Sequence, residues 1–260
     1  MPPVLYADPV TAARYIEWEP ASGFERHVAC LWAAQFADSG EPHVDRVLPD
    51  GCIDLLWMGG ELVVAGPDTS SALVTPRPGA RVVGVRFRPG VAPSVLGVPA
   101  PLLLDSRVDA RDVLGERVEP LVDRVARAPS AHGAALILAA EVATWIRAAP
   151  CVDRLVERAV LDLRAPREDH TVAQLAAALG VSERQLRRRF VDALGYGPKT
   201  FERVMRLRRF VALAAGAGAP RLAELAAAAG YADQPHLTRE VRALAGCGPA
   251  ALVGYPVMAA

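Results

Sequence analysis

Apolar and polar positions follow two different rhythms along this 260-residue chain. Between residues 43 and 90 the runs Cys52–Trp57, Leu62–Val64 and Arg81–Phe87 are short and β-rich. They are punctuated by Pro49-Asp50-Gly51, Gly59-Gly60, Gly66-Pro67 and Pro89-Gly90, a spacing that predicts an antiparallel sheet or a small, cupin-like barrel. After Pro101 the rhythm becomes helical. Val113, Val118, Leu121 and Val125 form one stripe, and Leu136, Leu138, Ala139, Val142 and Ile146 form another along the Ala-rich segment 131–149. From Val152 onward the whole pattern is helical, beginning with an amphipathic helix on Leu155, Val156, Ala159 and Leu163 that ends at Ala165-Pro166. The predicted fold class is α+β, a β-rich N-terminal domain with helices followed by an all-α domain. The predicted boundaries are 1–128 for the first domain, 129–150 for a helical linker or dimerisation helix, and 151–260 for the second.

The sharpest local signals lie in the second domain. Thr171-Val-Ala-Gln174 and Ser182-Glu-Arg-Gln185 both read as capping boxes, each with a hydroxyl accepting from the N3 amide and Gln reaching back. The first begins a helix over Val172–Leu179. Gly180 ends it in the left-handed conformation and Ser182 starts the next, a helix-turn-helix spacing. The unit recurs. Leu175-Ala-Ala-Ala-Leu-Gly180 returns as Leu225-Ala-Ala-Ala-Ala-Gly230, 50 residues on, and Gly195-Tyr-Gly-Pro198 returns as Gly246-Cys-Gly-Pro249, 51 residues on. A duplicated supersecondary unit is implied, with one residue added in the second turn or at the start of its following helix, and Phe201–Ala214 as the joining helix.

On the helix beginning at Glu183, Leu186 and Phe190 define the buried face; Arg184, Arg188 and Val191 fall opposite, with Arg187 at the edge. Arginine pairs bidentately with guanine N7 and O6 in the major groove, which makes these side chains candidates for base reading; a solvated basic face is the alternative. In the second copy Leu237, Val241 and Leu244 point inward, Pro235, Thr238, Arg239 and Arg242 outward, and His236 sits at an edge; Asp233 is the predicted N-cap. That copy could equally be a half-motif that touches phosphate alone. Arg203, Arg206, Arg208 and Arg209 line the polar side of the joining helix, for phosphate or for pairing with an acidic N-terminal domain.

Charge sharpens this picture. The chain is neutral overall, with 29 basic and 29 acidic residues. Residues 1–150 nevertheless carry 13 arginines against 18 acids, and residues 151–260 carry 16 basic against 11 acidic. From Ser182 to Arg209 nine basic residues face three acids, a net +6 suited to a polyphosphate.

Residues 151–260 resemble the tandem helix-turn-helix DNA-binding domain of AraC/XylS transcription regulators. The resemblance rests on Thr171–Phe190, Gly195-Tyr-Gly-Pro198, Arg206-Leu-Arg-Arg209 and Gly230-Tyr-Ala-Asp-Gln-Pro-His-Leu-Thr-Arg239. It implies a seven-helix domain that places two recognition helices in successive major grooves. By position it puts base reading on Arg184, Arg187 and Arg188, then on Pro235, His236 and Arg239. With the flanking polar side chains the candidate DNA contacts are Arg184, Gln185, Arg187, Arg188, Gln234, Pro235, His236, Thr238, Arg239, Arg242, Arg206 and Arg209. Leu237, Val241 and Leu252 stand where the family usually has aromatics, and Pro235 where a polar reader is frequent.

Leu48-Pro-Asp-Gly-Cys-Ile-Asp-Leu55 and Gly84-Val-Arg-Phe-Arg-Pro-Gly90 are similar to segments in the β-rich domain of one AraC-family subgroup. In relatives such domains sense a small molecule, mediate dimerisation, or both. Arg86 and Arg88 alternate with Val85 and Phe87; if their face lined a barrel, with Trp57 as a stacking wall, they could hold an anion. The alternative is arginines exposed on a solvent face. Candidate partners are duplex DNA, RNA polymerase, a small-molecule effector and a second copy of the chain. Cys30, Cys52, Cys151 and Cys247 are scattered, without a zinc-ribbon or disulfide pattern. His43 and Asp45 near Cys52 and Asp54 lack the paired histidines of a mononuclear metal enzyme, and no cofactor is expected. No secretory signal appears in MPPVLYADPV, and Ala131–Ala149 is broken by His132, Glu141 and Arg147, so a soluble cytoplasmic chain is expected. The readings in contention are a transcription regulator, an enzyme or DNA-repair protein carrying such a module, and an interaction protein whose basic helices dock an acidic partner.

Overall fold

In the first domain of the computed structural model the strands are β1 (Val4–Ala7), β2 (Arg14–Trp18), β3 (Val28–Gln35), β4 (Asp45–Val47), β5 (Ile53–Met58), β6 (Glu61–Ala65), β7 (Ala72–Val74), β8 (Arg81–Phe87) and β9 (Arg107–Asp109). The structure describes residues 4–7, 14–38, 44–165, 171–215 and 221–255. Seven strands form one antiparallel sheet in the order β1-β2-β3-β8-β5-β6-β9, while β4 and β7 pair as a separate ribbon. The sheet is open, running from edge β1 to edge β9, so the barrel expectation is corrected to a sheet covered on one face by helices. Strands β2 and β3 lie outside the stretch whose turns announced a sheet. Strand β3 reads Val-Ala-Cys-Leu-Trp-Ala-Ala-Gln, buried on both faces along most of its length, so it shows no alternation to detect.

Helices α1 (Ala92–Leu96), α2 (Ala110–Leu114), α3 (Glu119–Ala126) and α4 (Ala131–Ala148) complete this domain. Leu31, Leu55, Val83, Val85 and Phe87 of the sheet share one core with Ala134, Ala135, Leu138, Val142 and Trp145 of α4. Leu136, expected on that stripe, is 51% exposed. The buried stripe keeps the expected Leu138 and Val142 and adds Ala134, Ala135 and Trp145. On the opposite face Trp32 lies flat over Gly84, where a Cβ would come within 2.6 Å of the indole.

The second domain contains α5 (Arg154–Arg164), α6 (Val172–Ala178), α7 (Glu183–Leu194), α8 (Pro198–Ala215), α9 (Leu222–Ala229) and α10 (Gln234–Ala245), then a 3-10 turn at Pro249–Leu252. Among the described residues six α-helices and one 3-10 turn thus stand where the resemblance implied seven helices. Pro166, expected just past the end of α5, falls outside the described residues. Helix α8 threads both halves. Its Phe201, Val204 and Met205 pack with α5, α6 and α7, whereas Leu207, Phe210, Val211 and Ala214 pack with α9 and α10.

Candidate nucleic-acid interface

Both predicted capping boxes form. Thr171 Oγ1 accepts from the Gln174 amide at 3.2 Å and Gln174 Oε1 accepts from the Thr171 amide at 2.8 Å. Ser182 and Gln185 repeat the exchange at 3.3 and 3.0 Å. Gly180 and Gly230 close α6 and α9 at φ +70° and +87°, a region that costs glycine little and other residues much. The turn after Gly180 holds two residues before α7; the turn after Gly230 holds three before α10. The added residue therefore sits in the turn, and both following helices are twelve residues long. Asp233 caps α10, accepting from the His236 amide at 2.6 Å.

Leu186, Phe190 and Leu194 anchor α7, and Leu237, Val241 and Leu244 anchor α10. Arg184, Gln185, Arg187 and Arg188 are exposed on α7, as are Gln234, Pro235 and Arg239 in the first half of α10 and Arg242 in its last turn. Arg184, Arg187, Arg188, Arg239 and Arg242 form ion pairs with none of the described residues. Arg189 is tied instead to Asp153, the N-cap of α5, at 3.1 Å. In the second unit Thr238 is half-buried and donates back to the Gln234 carbonyl at 2.9 Å. His236 Nδ1 accepts from the Ala232 amide at 3.3 Å, and its ring stands edge-on to Tyr231 at 5.4 Å. Helix α7 therefore offers more outward donors than α10.

Arg206 and Arg209 do not join this surface. Arg206 reaches Glu202 at 2.6 Å and lies over the Tyr231 ring at 5.5 Å. Arg209 donates to the Ala229 carbonyl at 2.9 Å. Arg203 pairs with Glu240 at 2.6 Å, so this part of α8 braces the second unit rather than an acidic N-terminal surface. Helical spacing showed these arginines on the polar side of α8, but it could not show that α9 and α10 would fold against that side.

Residues 175–253 match the family model of a helix-turn-helix domain, a span that takes in both units and the helix joining them. The C-terminal half of this chain is an AraC-type helix-turn-helix domain. This is the domain type with which AraC-type transcription regulators bind DNA. Residues 16–109 match a second model, described only as a domain of unknown function. Among solved structures the chain is similar to an apo form of ToxT from Vibrio cholerae carrying one substitution, at 10% identity and TM-score 0.49, covering 86% of this chain and 96% of that one. It is also similar to unsaturated fatty acid-bound wild-type ToxT from the same organism, at 12% identity and TM-score 0.43, with 88% and 93% covered. No curated protein matches the chain in sequence.

Outside this AraC-type domain, the trio Trp57, Arg86 and Arg88 is not brought together. Trp57 points into the core beneath α4, on the face opposite Arg86. Arg86 is buried and engages Asp54 at 3.0 Å and Asp50 at 3.5 Å. Arg88 lies beyond the strand and donates to the Glu25 carbonyl. The alternation that put both arginines on one face ends with β8 at Phe87. Burial pushes the Asp54 carboxyl up, against the opposing pull of Arg86. Of the candidate metal ligands, His43 lies outside the described residues and Asp54 is spent on Arg86. No helix among the described residues is long and apolar enough to cross a membrane.

Proposed function

We propose that this regulator reads DNA sequence by laying α7 and α10 in successive major grooves on one face of a duplex. The observation that carries the reading is the matched pair of twelve-residue helices, each exposing the polar side chains of its N-terminal part. Arg184, Arg187 and Arg188 are placed to pair with guanine edges, and Gln185 borders them. In the second unit His236 and Arg239 remain as readers, with Gln234, Pro235 and Arg242 facing backbone. Residues 1–128 form the regulatory domain, with the 129–150 helix seated on its sheet, and residues 151–260 the DNA-binding domain. On this reading the chain works in the cytoplasm and is not an enzyme, and the N-terminal domain modulates binding through its contacts with both helix-turn-helix units.

Selection of the full chain against a randomised duplex pool at two salt concentrations tests this. Two enriched blocks about one helical turn apart are expected, with affinity falling steeply as salt rises. Enrichment of no motif, or binding indifferent to salt, would overturn sequence reading and favour a basic surface that docks an acidic protein.

A further inference from the structure

The equivalent corners of the two repeats are both held by the N-terminal domain. Gly195 ends α7, and a Cβ there would lie 3.1–3.4 Å from Leu104, the Ala100 carbonyl and Pro67. Gly246 ends α10, and a Cβ there would lie 3.0 Å from Arg46 Nη1 and 3.5 Å from Ser71 Oγ. The second corner is hydrogen-bonded as well as packed. The Ser71 amide donates to the Leu244 carbonyl at 2.7 Å, Ser71 Oγ donates to the Ala245 carbonyl at 2.9 Å, and Arg46 donates to that same carbonyl. The last turn of α10 thus has its open carbonyls closed by the β4–β7 ribbon, with a cation at the negative end of the helix.

Between these corners the loop Leu48–Cys52 reaches both units. Leu48 is buried in the core of the second with Leu207 and Phe210. Gly51 lies against Phe201 and Tyr196 of the first. The two helix-turn-helix cores are otherwise separate clusters that share α8, an 18-residue helix about 27 Å long. The helix sets their separation, but a slide or roll of either core against its own half of α8 would change the angle between α7 and α10. A sheet domain attached to both corners adds a second connection and fixes the angle between them.

We propose that the N-terminal domain acts as a spacing gauge: it sets the half-site separation the two units accept, with Arg46 and Ser71 as positioning residues. The inference rests on the two-groove reading above. Each base pair inserted between half-sites turns the second by about 34° and moves it about 3.4 Å, so a braced pair of helices discriminates spacing while a loosely hinged pair tolerates it.

The test uses full-length protein and duplexes carrying the two selected blocks, with zero, one or two base pairs inserted or removed between them. Wild type is expected to prefer one spacing by about tenfold over its neighbours. The Arg46→Ala/Ser71→Ala double variant is expected to flatten that profile to about threefold, with base preferences inside each block unchanged. Arg46→Lys, which keeps a cationic donor, is expected to retain most of the profile. A double variant that loses affinity equally at every spacing is merely destabilised, and that result overturns the gauge. If the double variant does not fold, Ser71→Ala alone, which keeps the backbone bond, decides: partial flattening supports the gauge and an unchanged profile overturns it. A wild type indifferent to spacing overturns the gauge and leaves two-block reading standing, whereas enrichment of one block or none overturns the reading itself.

Discussion

Arg209, in the second half of α8, donates to the carbonyl of Ala229 at 2.9 Å, the last residue of α9 before the turn glycine. The bond closes a helix end that the chain itself leaves open. Arg206, one turn earlier, holds Glu202 and lies over Tyr231, whose ring in turn meets His236 at the start of the second recognition helix. A row of arginines that looks on the sequence like a phosphate-binding edge works in the fold as the joint between two units.

Arg209→Ala is therefore expected to lower stability by about 1–2 kcal/mol, because a half-buried carbonyl loses its charged donor. Denaturant unfolding of the full chain checks this. A variant as stable as wild type that bound DNA more weakly on every sequence would return Arg209 to the phosphate-contacting role.

Arg188→Ala should behave in the opposite way. Its side chain is exposed and ion-pairs with none of the described residues, so stability should change by less than about 0.5 kcal/mol. Discrimination at a single base pair of the first block should fall by about 1–3 kcal/mol. Titration against duplexes varied one position at a time separates this from a uniform loss, which would mean a phosphate contact.

What the sequence made legible follows from how local each signal is. The capping boxes, the turn glycines and the inward faces of α7 and α10 depend on residues within four positions of one another, and all formed as the spacing predicted. Strand β3 went unread because it is buried on both faces and so lacks alternation. Four-residue spacing could have paired Arg206 with Glu202, but the Tyr231 ring beneath Arg206 and the partners of Arg86 and Arg209 lie 20 or more residues away. Residue spacing carries no record of such contacts. Arg86 in particular looked like an anion site because the carboxylates of Asp50 and Asp54 come from the neighbouring strand β5 and the loop leading into it.

That buried pair yields a stability prediction. Asp54→Ala takes away the carboxylate 3.0 Å from the enclosed guanidinium and should cost about 3–5 kcal/mol. Replacing both partners with apolar side chains of similar size, Arg86→Met with Asp54→Leu, should cost much less than the single change. Urea unfolding of the three proteins decides the matter. A double variant less stable than Asp54→Ala would mean that the pair, and not the avoidance of an under-compensated buried charge, holds this face of the sheet.

The Arg203–Glu240 pair, 2.6 Å across the α8–α10 contact, gives a pH dependence of defined sign. Partial burial raises the Glu240 pKa, but the hydrogen bond and charge of Arg203 outweigh it, so the folded-state value lies below that of the unfolded chain. A carboxyl with a depressed folded pKa contributes stability that is fully present above its unfolded value, about 4.5, and lost as pH falls through the folded one. Glu240→Gln should thus be less stable than wild type at pH 7 and pH 5 by the same amount. The gap should close progressively below about pH 4.5, where wild type also loses the charge. Thermal melts of both proteins across pH 3–7 measure the gap directly. A difference that persists undiminished to pH 3 would show that the Glu240 carboxylate charge does not hold α10 to α8, and that the packing of Leu237 and Val241 alone does so.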